Sequence, residues 1–227
     1  MTDDRRPKNG TLYIISTPIG NLEDITFRAV RILKEVDQIA AEDTRKTKIL
    51  LNAYLINTKM TSYHAHNIRF KTPIIVKALK EGKKIALVSD SGTPGISDPG
   101  SVLIASCIKE NIPVTSIPGP AAFVVALTLS GKPTNKFVYE GFLSSKSSRR
   151  RRQLTELKDL EKTVIVYESP HRIIKFLVDF IEIVGDKDIV IARELTKKFE
   201  EIKRGKASEL LSDFSEKKPR GEFIVIF

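Results

Sequence analysis

Acids and bases recur directly behind apolar, strand-like runs in this 227-residue sequence. Glu42, Asp43 and Arg45 follow residues 37–41, and Asp90 and Asp98 fall in the stretch 89–100, behind 85–88. Glu168, His171 and Arg172 follow 163–167, while Arg193, Glu194, Lys197 and Lys198 follow 188–192. In an open α/β sheet, ligands bind outside the carboxyl ends of the strands. A carboxylate or imidazole placed there can accept a proton, and a guanidinium can grip a phosphate through paired hydrogen bonds. Glu168 or His171 is thus a candidate base, and Arg172 a candidate phosphate ligand. Plainer readings stand beside these. Residues 42–45 are either cleft residues or acids at the positive end of a helix with a solvated basic face behind them. His171, beside a proline-initiated helix, reads more readily as a cap or packing residue. There is no Ser–His–Asp order and no metal-ligand set. His64 and His66 have no Cys or acid at ligand spacing and read as a polar loop.

The stretch 89–100 is the centre of this pattern. Gly and Pro fill five of its twelve positions. Glycine lets a backbone approach a ligand, and proline fixes the loop's shape, so a ligand loop is predicted rather than a bare turn. Residues 144–152 form a second feature: Lys146 and the run Arg149, Arg150, Arg151, Arg152 among serines. They read as a polar basic loop ahead of a helix at 153–160, suited to nucleic-acid phosphates.

These residues need a framework. Strands are predicted at 11–16, 37–41, 60–63, 85–88 and 113–117, alternating with helices at 26–34, 46–55, 73–81, 102–108 and 123–129. Asp24 or Thr26 caps the first helix. Alternation of this kind makes a parallel sheet with crossover helices. The turn at 17–26 contains Pro18 and Gly20 but no G-x-G-x-x-G and no phosphate-loop lysine, so neither a dinucleotide nor a nucleoside triphosphate is supported. Gly119, Ala121 and Ala122 in the stiff turn after 113–117 leave space for tight packing or for the flat face of a ligand. The boundary is expected in 130–135, giving a polar arm at 1–10 and α/β domains at 11–132 and 133–227. The second domain carries strands near 136–142, 163–167, 188–192, 199–205 and 221–227, with helices at 153–160, 170–183 and 207–215. Its short gaps predict a mixed sheet.

Composition bounds the class. Hydrophobic residues make up 41% and charged ones 29%, as in a globular protein. No apolar run reaches membrane-spanning length, the first residues do not form a signal peptide, and Cys107, the single cysteine, allows no internal disulfide. A cytoplasmic location is expected. The net charge of +10 is shared by both halves and suits an anionic partner such as RNA or DNA.

Seven stretches together carry a family resemblance. They are Thr17-Pro18-Ile19-Gly20-Asn21-Leu22, Ala41-Glu42-Asp43-Thr44-Arg45, the whole of 89–100, Pro118-Gly119-Pro120-Ala121, Tyr167-Glu168-Ser169-Pro170-His171-Arg172, Arg193-Glu194-Leu195-Thr196-Lys197 and Gly221-Glu222-Phe223. In this order the chain, over roughly 10–227, resembles the ribosomal RNA small subunit methyltransferase I family. These are the cytidine-2′-O-methyltransferases of the bacterial decoding centre, in the tetrapyrrole-methylase-like superfamily. The resemblance implies a two-domain α/β fold with a mostly parallel N-terminal sheet and a mixed C-terminal one. It also implies S-adenosylmethionine in a cleft between the domains, a homodimer, and small-subunit ribosomal RNA or the assembled subunit as partner, without a membrane.

By position, Gly92, Thr93 and Pro94 match the superfamily's Gly-Asp-Pro cofactor motif, with Thr93 in place of the acid; Asp90 or Asp98 stands near to compensate. Ile96 falls where a backbone contact to the cofactor is expected, and Ala121 and Ala122 match a small pair against the ligand. Pro18, Gly20 and Glu168 match further cofactor-side positions. For catalysis, Glu42 and Asp43 are the candidate proton acceptors, with Glu168 behind them, and Arg45 orients RNA phosphate. Lys146, Arg149, Arg150, Arg151, Arg152 and Arg172 are the expected RNA contacts. Members of the family often continue past the Gly-Glu-Phe strand with a small extension, which this sequence lacks; if that extension helps hold RNA, affinity is expected to come from elsewhere, or the chain is a shorter variant. The rival expectations are a tetrapyrrole methyltransferase of the same fold and a non-catalytic RNA-binding protein.

Overall fold

A computed structural model describes residues 10–216 and 218–227, so the expected polar arm lies outside the described residues except for Gly10. The chain divides into two compact units, Met1–Ala121 and Ala122–Phe227.

The first unit alternates strictly: β1 (Leu12–Ile15), α1 (Phe27–Glu35), β2 (Gln38–Ala41), α2 (Thr44–Ala53), β3 (Met60–Ser62), α3 (Ile68–Lys80), β4 (Ile85–Val88), α4 (Gly100–Lys109) and β5 (Val114–Ile117). The strands lie in the order β3-β2-β4-β1-β5, and every pairing is parallel. The central β4 is buried along its length, as the uninterrupted apolar run Ile85-Ala86-Leu87-Val88 requires of a strand covered on both faces. Alternate side chains supply two cores. Ile15, Ile39, Ala41, Ala86 and Val88 pack with Ala29, Leu33, Leu50 and Leu51 of α1 and α2. Leu12, Ile14, Ala40, Ile85 and Leu87 pack with Ile75, Leu79, Leu103 and Cys107 of α3 and α4. Burial pushes the Cys107 thiol up to about 11, in keeping with a packing role. In register, Ala41 lies opposite Val88 and Leu12 lies opposite both Ile85 and Val114. The loops that leave β1, β2, β4 and β5 therefore emerge along one edge of the sheet.

Local chemistry sets the helix ends. The Thr26 hydroxyl accepts the Ala29 N–H at 3.1 Å, so Thr26, not Asp24, caps α1. Helix α3 starts at Ile68 rather than at Pro73. The Asn67 carboxamide closes the preceding turn by accepting the His64 N–H at 2.9 Å, and Tyr63 and Thr72 hydroxyls meet at 2.9 Å. Pro73 lies exposed within the helix, in its second turn, where its ring can donate no backbone bond.

The second unit holds α5 (Ala122–Ser130), β6 (Phe137–Phe142), α6 (Ser147–Leu157), β7 (Thr163–Glu168), α7 (Ile173–Val184), β8 (Asp188–Arg193), β9 (Glu201–Lys206), α8 (Ala207–Glu216) and β10 (Phe223–Ile226). Its sheet runs β6-β7-β10-β8-β9; β6 and β7 are parallel and the other pairs antiparallel. One face packs Val164, Val166, Ile191 and Val225 against Leu154, Phe176, Phe180 and Leu210 of α6, α7 and α8. Helix α5 rests on β8, β9 and β10, which is why the division falls after Ala121, ahead of the boundary expected at 130–135. Helix α6 corrects a second expectation: the arginine run lies inside it, not in a loop before it.

Candidate active site

At the shared edge of the first sheet, the loop after β4 is sewn to its neighbours. Thr17 and Gly92 exchange both backbone bonds, at 2.9 and 3.0 Å. Gly92 has φ +76, a conformation side-chain-bearing residues rarely adopt, so the bridge favours glycine there. The Thr93 hydroxyl donates to the Pro120 carbonyl at 3.1 Å and lies 2.8 Å from the Ser16 hydroxyl. With that proton committed to Pro120, Ser16 donates to Thr93. One threonine thus links the loops after β1, β4 and β5, which accounts for a hydroxyl where an acid was expected. Asp98 does not compensate for the missing acid. Its carboxylate accepts Gly95 N–H at 2.8 Å and Gly100 N–H at 2.7 Å and so folds its own loop; burial still pushes it above the usual carboxylate range.

Asp90 joins β4's loop to the loop after β2. It accepts the Asp43 N–H at 2.9 Å and the Lys46 ammonium at 2.7 Å. Its own N–H donates to the Glu42 carboxylate at 3.2 Å. Lys46 was not singled out from the sequence. The signal was present, since it lies in the first turn of α2, directly behind the acids Glu42 and Asp43.

The two adjacent candidate bases differ sharply. Asp43 is the N-cap of α2: it accepts the Arg45 backbone N–H at 2.9 Å and two guanidinium bonds from the same residue at 3.1 and 2.8 Å. Those bonds hold its carboxyl well below the usual range. Asp43 thus caps α2 and is the weaker base of the two candidates. Arg45 is tied to it through two of its five N–H groups while its side chain stays exposed. Glu42 is half-buried. Burial first, and then the negative charges of Asp90 and Asp98, push its carboxyl above the ordinary value, against the bond from Asp90 N–H. A carboxylate raised in this way is the better proton acceptor near neutral pH.

Pro18, Gly20, Pro94, Ile96 and Ala121 share the edge. Pro94 is buried, Pro18 and Ala121 are half-buried, and Gly20 and Ile96 are exposed; Ala122 begins α5 in the second unit. Gly119 explains one of the small residues by packing alone. A Cβ there would lie 2.8 Å from Ser16 Cβ. Gly119→Ala is expected to destabilise the first unit by about 1–3 kcal/mol, read as an earlier thermal transition.

In the second unit, structure overturns one expected contact and gives two other candidate residues structural partners. Arg150 is buried and pairs with buried Asp179, its Nε at 2.8 Å, and Ser147 donates to the same carboxylate at 3.0 Å. It is a core residue, not an RNA contact. Glu168 is buried too. It accepts the Ser169 N–H at 2.8 Å and pairs with Arg172 at 3.0 Å, while Arg172 also donates to the Leu143 carbonyl at 2.6 Å. Burial pushes Glu168 up, partly opposed by Ser169 and Arg172. Glu168 and Arg172 thus clamp the ends of β6 and β7. Arg151 pairs with Glu182 and Arg152 with Glu156 at 3.1 Å. Lys146 and Arg149 remain exposed without an ion pair among the described residues. The polar residues behind β8 bond among themselves: Arg193 to Glu201 at 2.9 Å, Lys197 to Glu194 at 2.8 Å and to Glu222 at 3.1 Å.

Comparison with known proteins adds three findings. Residues 11–211 match the family model described as Tetrapyrrole (Corrin/Porphyrin) Methylases. Two relatives, both named ribosomal RNA small subunit methyltransferase I, come from Thermotoga maritima and Halalkalibacterium halodurans. The first is 49% identical over 96% of this chain and 97% of its own length; the second is 51% identical over 98% and 77%. Among solved structures, the chain resembles uroporphyrin-III C-methyltransferase from Thermus thermophilus, solved with S-adenosylhomocysteine. The TM-score is 0.69 at 14% identity, over 96% of this chain and 97% of that one, a likeness of fold.

Proposed function

The chain belongs to the tetrapyrrole (corrin/porphyrin) methylases and, within them, to the ribosomal RNA small subunit methyltransferase I family; on that footing we propose that it methylates small-subunit ribosomal RNA. It is an S-adenosylmethionine-dependent methyltransferase. The finer reading is transfer to the 2′-oxygen of a cytidine in the decoding region, by a cytoplasmic homodimer. The observation that carries the rRNA reading is 49% identity along nearly the whole of a relative so named, set against 14% to the tetrapyrrole enzyme.

The residues at the first sheet's edge fit the cofactor. Half-buried Asp90 suits a cationic ligand, and exposed Ile96 and the small residue Ala121, both at this edge, suit a flat base. Gly92 and Pro94 hold the loop backbone where a ligand can approach it. When bound, S-adenosylmethionine supplies a methyl group on a sulfonium, activated for transfer to an oxygen nucleophile. This chain's residues do the rest. Glu42 accepts the proton of the ribose hydroxyl as the oxygen becomes nucleophilic. Asp90, held by Lys46, fixes Glu42 through its N–H and keeps negative charge beside it. Arg45 remains exposed to meet a backbone phosphate. Thr93 keeps three loops in register, so Thr93→Val is expected to weaken S-adenosylhomocysteine binding about tenfold by calorimetry, with Thr93→Ser closer to wild type.

Purified protein with labelled S-adenosylmethionine and small ribosomal subunits lacking the modification tests the substrate class. Label in ribosomal RNA is expected. Label entering a uroporphyrinogen-type tetrapyrrole instead, or neither acceptor, would overturn the reading.

A further inference from the structure

We infer that Phe142 is a stacking platform for an unpaired nucleotide of the RNA, with Lys146 and Arg149 holding the flanking phosphates. This rests on the rRNA reading and adds a contact site in the second unit. Phe142 ends β6, an edge strand, and is 53% exposed. Among the described residues one ring braces it. Tyr167, its register partner on β7, meets it edge-on, with centroids 5.6 Å apart at 71°. Tyr167 is itself fixed by the Phe123 N–H at 3.2 Å and by the Tyr139 ring at 5.1 Å. The loop that follows is pinned as well. Arg172 donates to the Leu143 carbonyl, and the Gln153 carboxamide accepts the Ser144 N–H at 2.8 Å. A large aromatic face, held still and exposed, offers base stacking with little ordering left to do.

Charge selects the occupant. Across 146–152, Arg150, Arg151 and Arg152 are each neutralised by a carboxylate. Lys146 and Arg149, closest along the chain to Phe142, carry no such partner among the described residues, and the first turn of α6 contains no acid. Cations at a helix N-terminus are unfavourable by themselves. An anion offsets that, and a nucleic-acid strand brings phosphates and a flat base together. A second copy of the chain fits less well, because a two-fold interface centred here would set the same cations against their symmetry mates.

The test measures binding to small ribosomal subunits across a salt series, alongside calorimetry with S-adenosylhomocysteine. Phe142→Ala is expected to weaken subunit binding about tenfold with an unchanged salt slope, and Phe142→Trp to restore it. Lys146→Ala with Arg149→Ala is expected to weaken binding and flatten the salt slope by roughly two phosphate contacts. Cofactor binding is expected to stay at the wild-type value in all of them. If wild type binds and Phe142→Ala matches it, the platform is overturned and the rRNA reading stands. If Phe142→Ala instead dissociates a dimer in sedimentation, the face belongs to a second copy and the inference fails. If wild type does not bind subunits at all, both fall.

Discussion

Glu42→Gln is expected to slow methyl transfer by about 10²–10⁴-fold, the usual span for removing a positioned general base. Subunit and S-adenosylhomocysteine binding are expected to stay near wild type. Gln keeps an oxygen to accept the Asp90 N–H, now 3.2 Å from the carboxylate, so the loop geometry survives. Only the proton acceptor is lost. The pH profile separates this from a structural effect. Burial and the charges of Asp90 and Asp98 raise the Glu42 carboxyl. Wild-type single-turnover rate therefore rises with pH through a midpoint above the ordinary carboxylate value of about 4.3, and the variant loses that limb. Stability moves the other way. A carboxyl raised in the folded state binds its proton more tightly there than in the unfolded chain, so stability falls as pH climbs from the unfolded to the folded value. Near neutral pH, Glu42→Gln is thus expected to be as stable as wild type or more so. A variant with full activity and an unaltered pH profile would remove Glu42 from catalysis. Asp43→Asn, by contrast, changes a cap and a partner of Arg45, and no loss of the ascending limb is expected from it.

Arg150→Met is expected to destabilise the second unit by about 3–5 kcal/mol, because it strands a charge among apolar neighbours. Asp179 is 5% exposed and Arg150 2%, and with the guanidinium gone Ser147 is the side-chain donor that remains on the carboxylate. The thermal transition is expected to drop by about 10 °C. Replacing both partners, Arg150→Met with Asp179→Leu, is expected to recover most of that loss, since a well-packed apolar pair often substitutes for a buried ion pair. Unchanged melting with a flattened salt dependence of RNA binding would return Arg150 to the surface role that the sequence suggested.

The sequence makes the first sheet legible because its signals are local. The apolar run of β4, the alternation of strand and helix, and Thr26 ahead of α1 each act within a few residues. The clustering of chemistry at strand ends is equally readable, since parallel strands in register must send their loops to one edge. What the sequence leaves open are choices made at long range. Glu42 and Asp43 are chemically alike as letters; the backbone turn into α2 assigns one to a cap and leaves the other beside Asp90, 48 residues on. An arginine run looks uniformly solvent-facing until Asp179, 29 residues away, buries one member. That Glu168 and Arg172 join the ends of β6 and β7 is likewise invisible until those strands meet around them.

The most direct measurement is the chemical position of the label after transfer to small subunits. Alkali cleaves RNA through the free 2′-hydroxyl, so a 2′-O-methylated nucleotide protects its own linkage. The expected result is label in an alkali-resistant dinucleotide whose 5′ nucleoside is cytidine and which maps to the decoding region. Label released in alkali-labile mononucleotides, as base methylation gives, would contradict the account and with it the role assigned to Glu42.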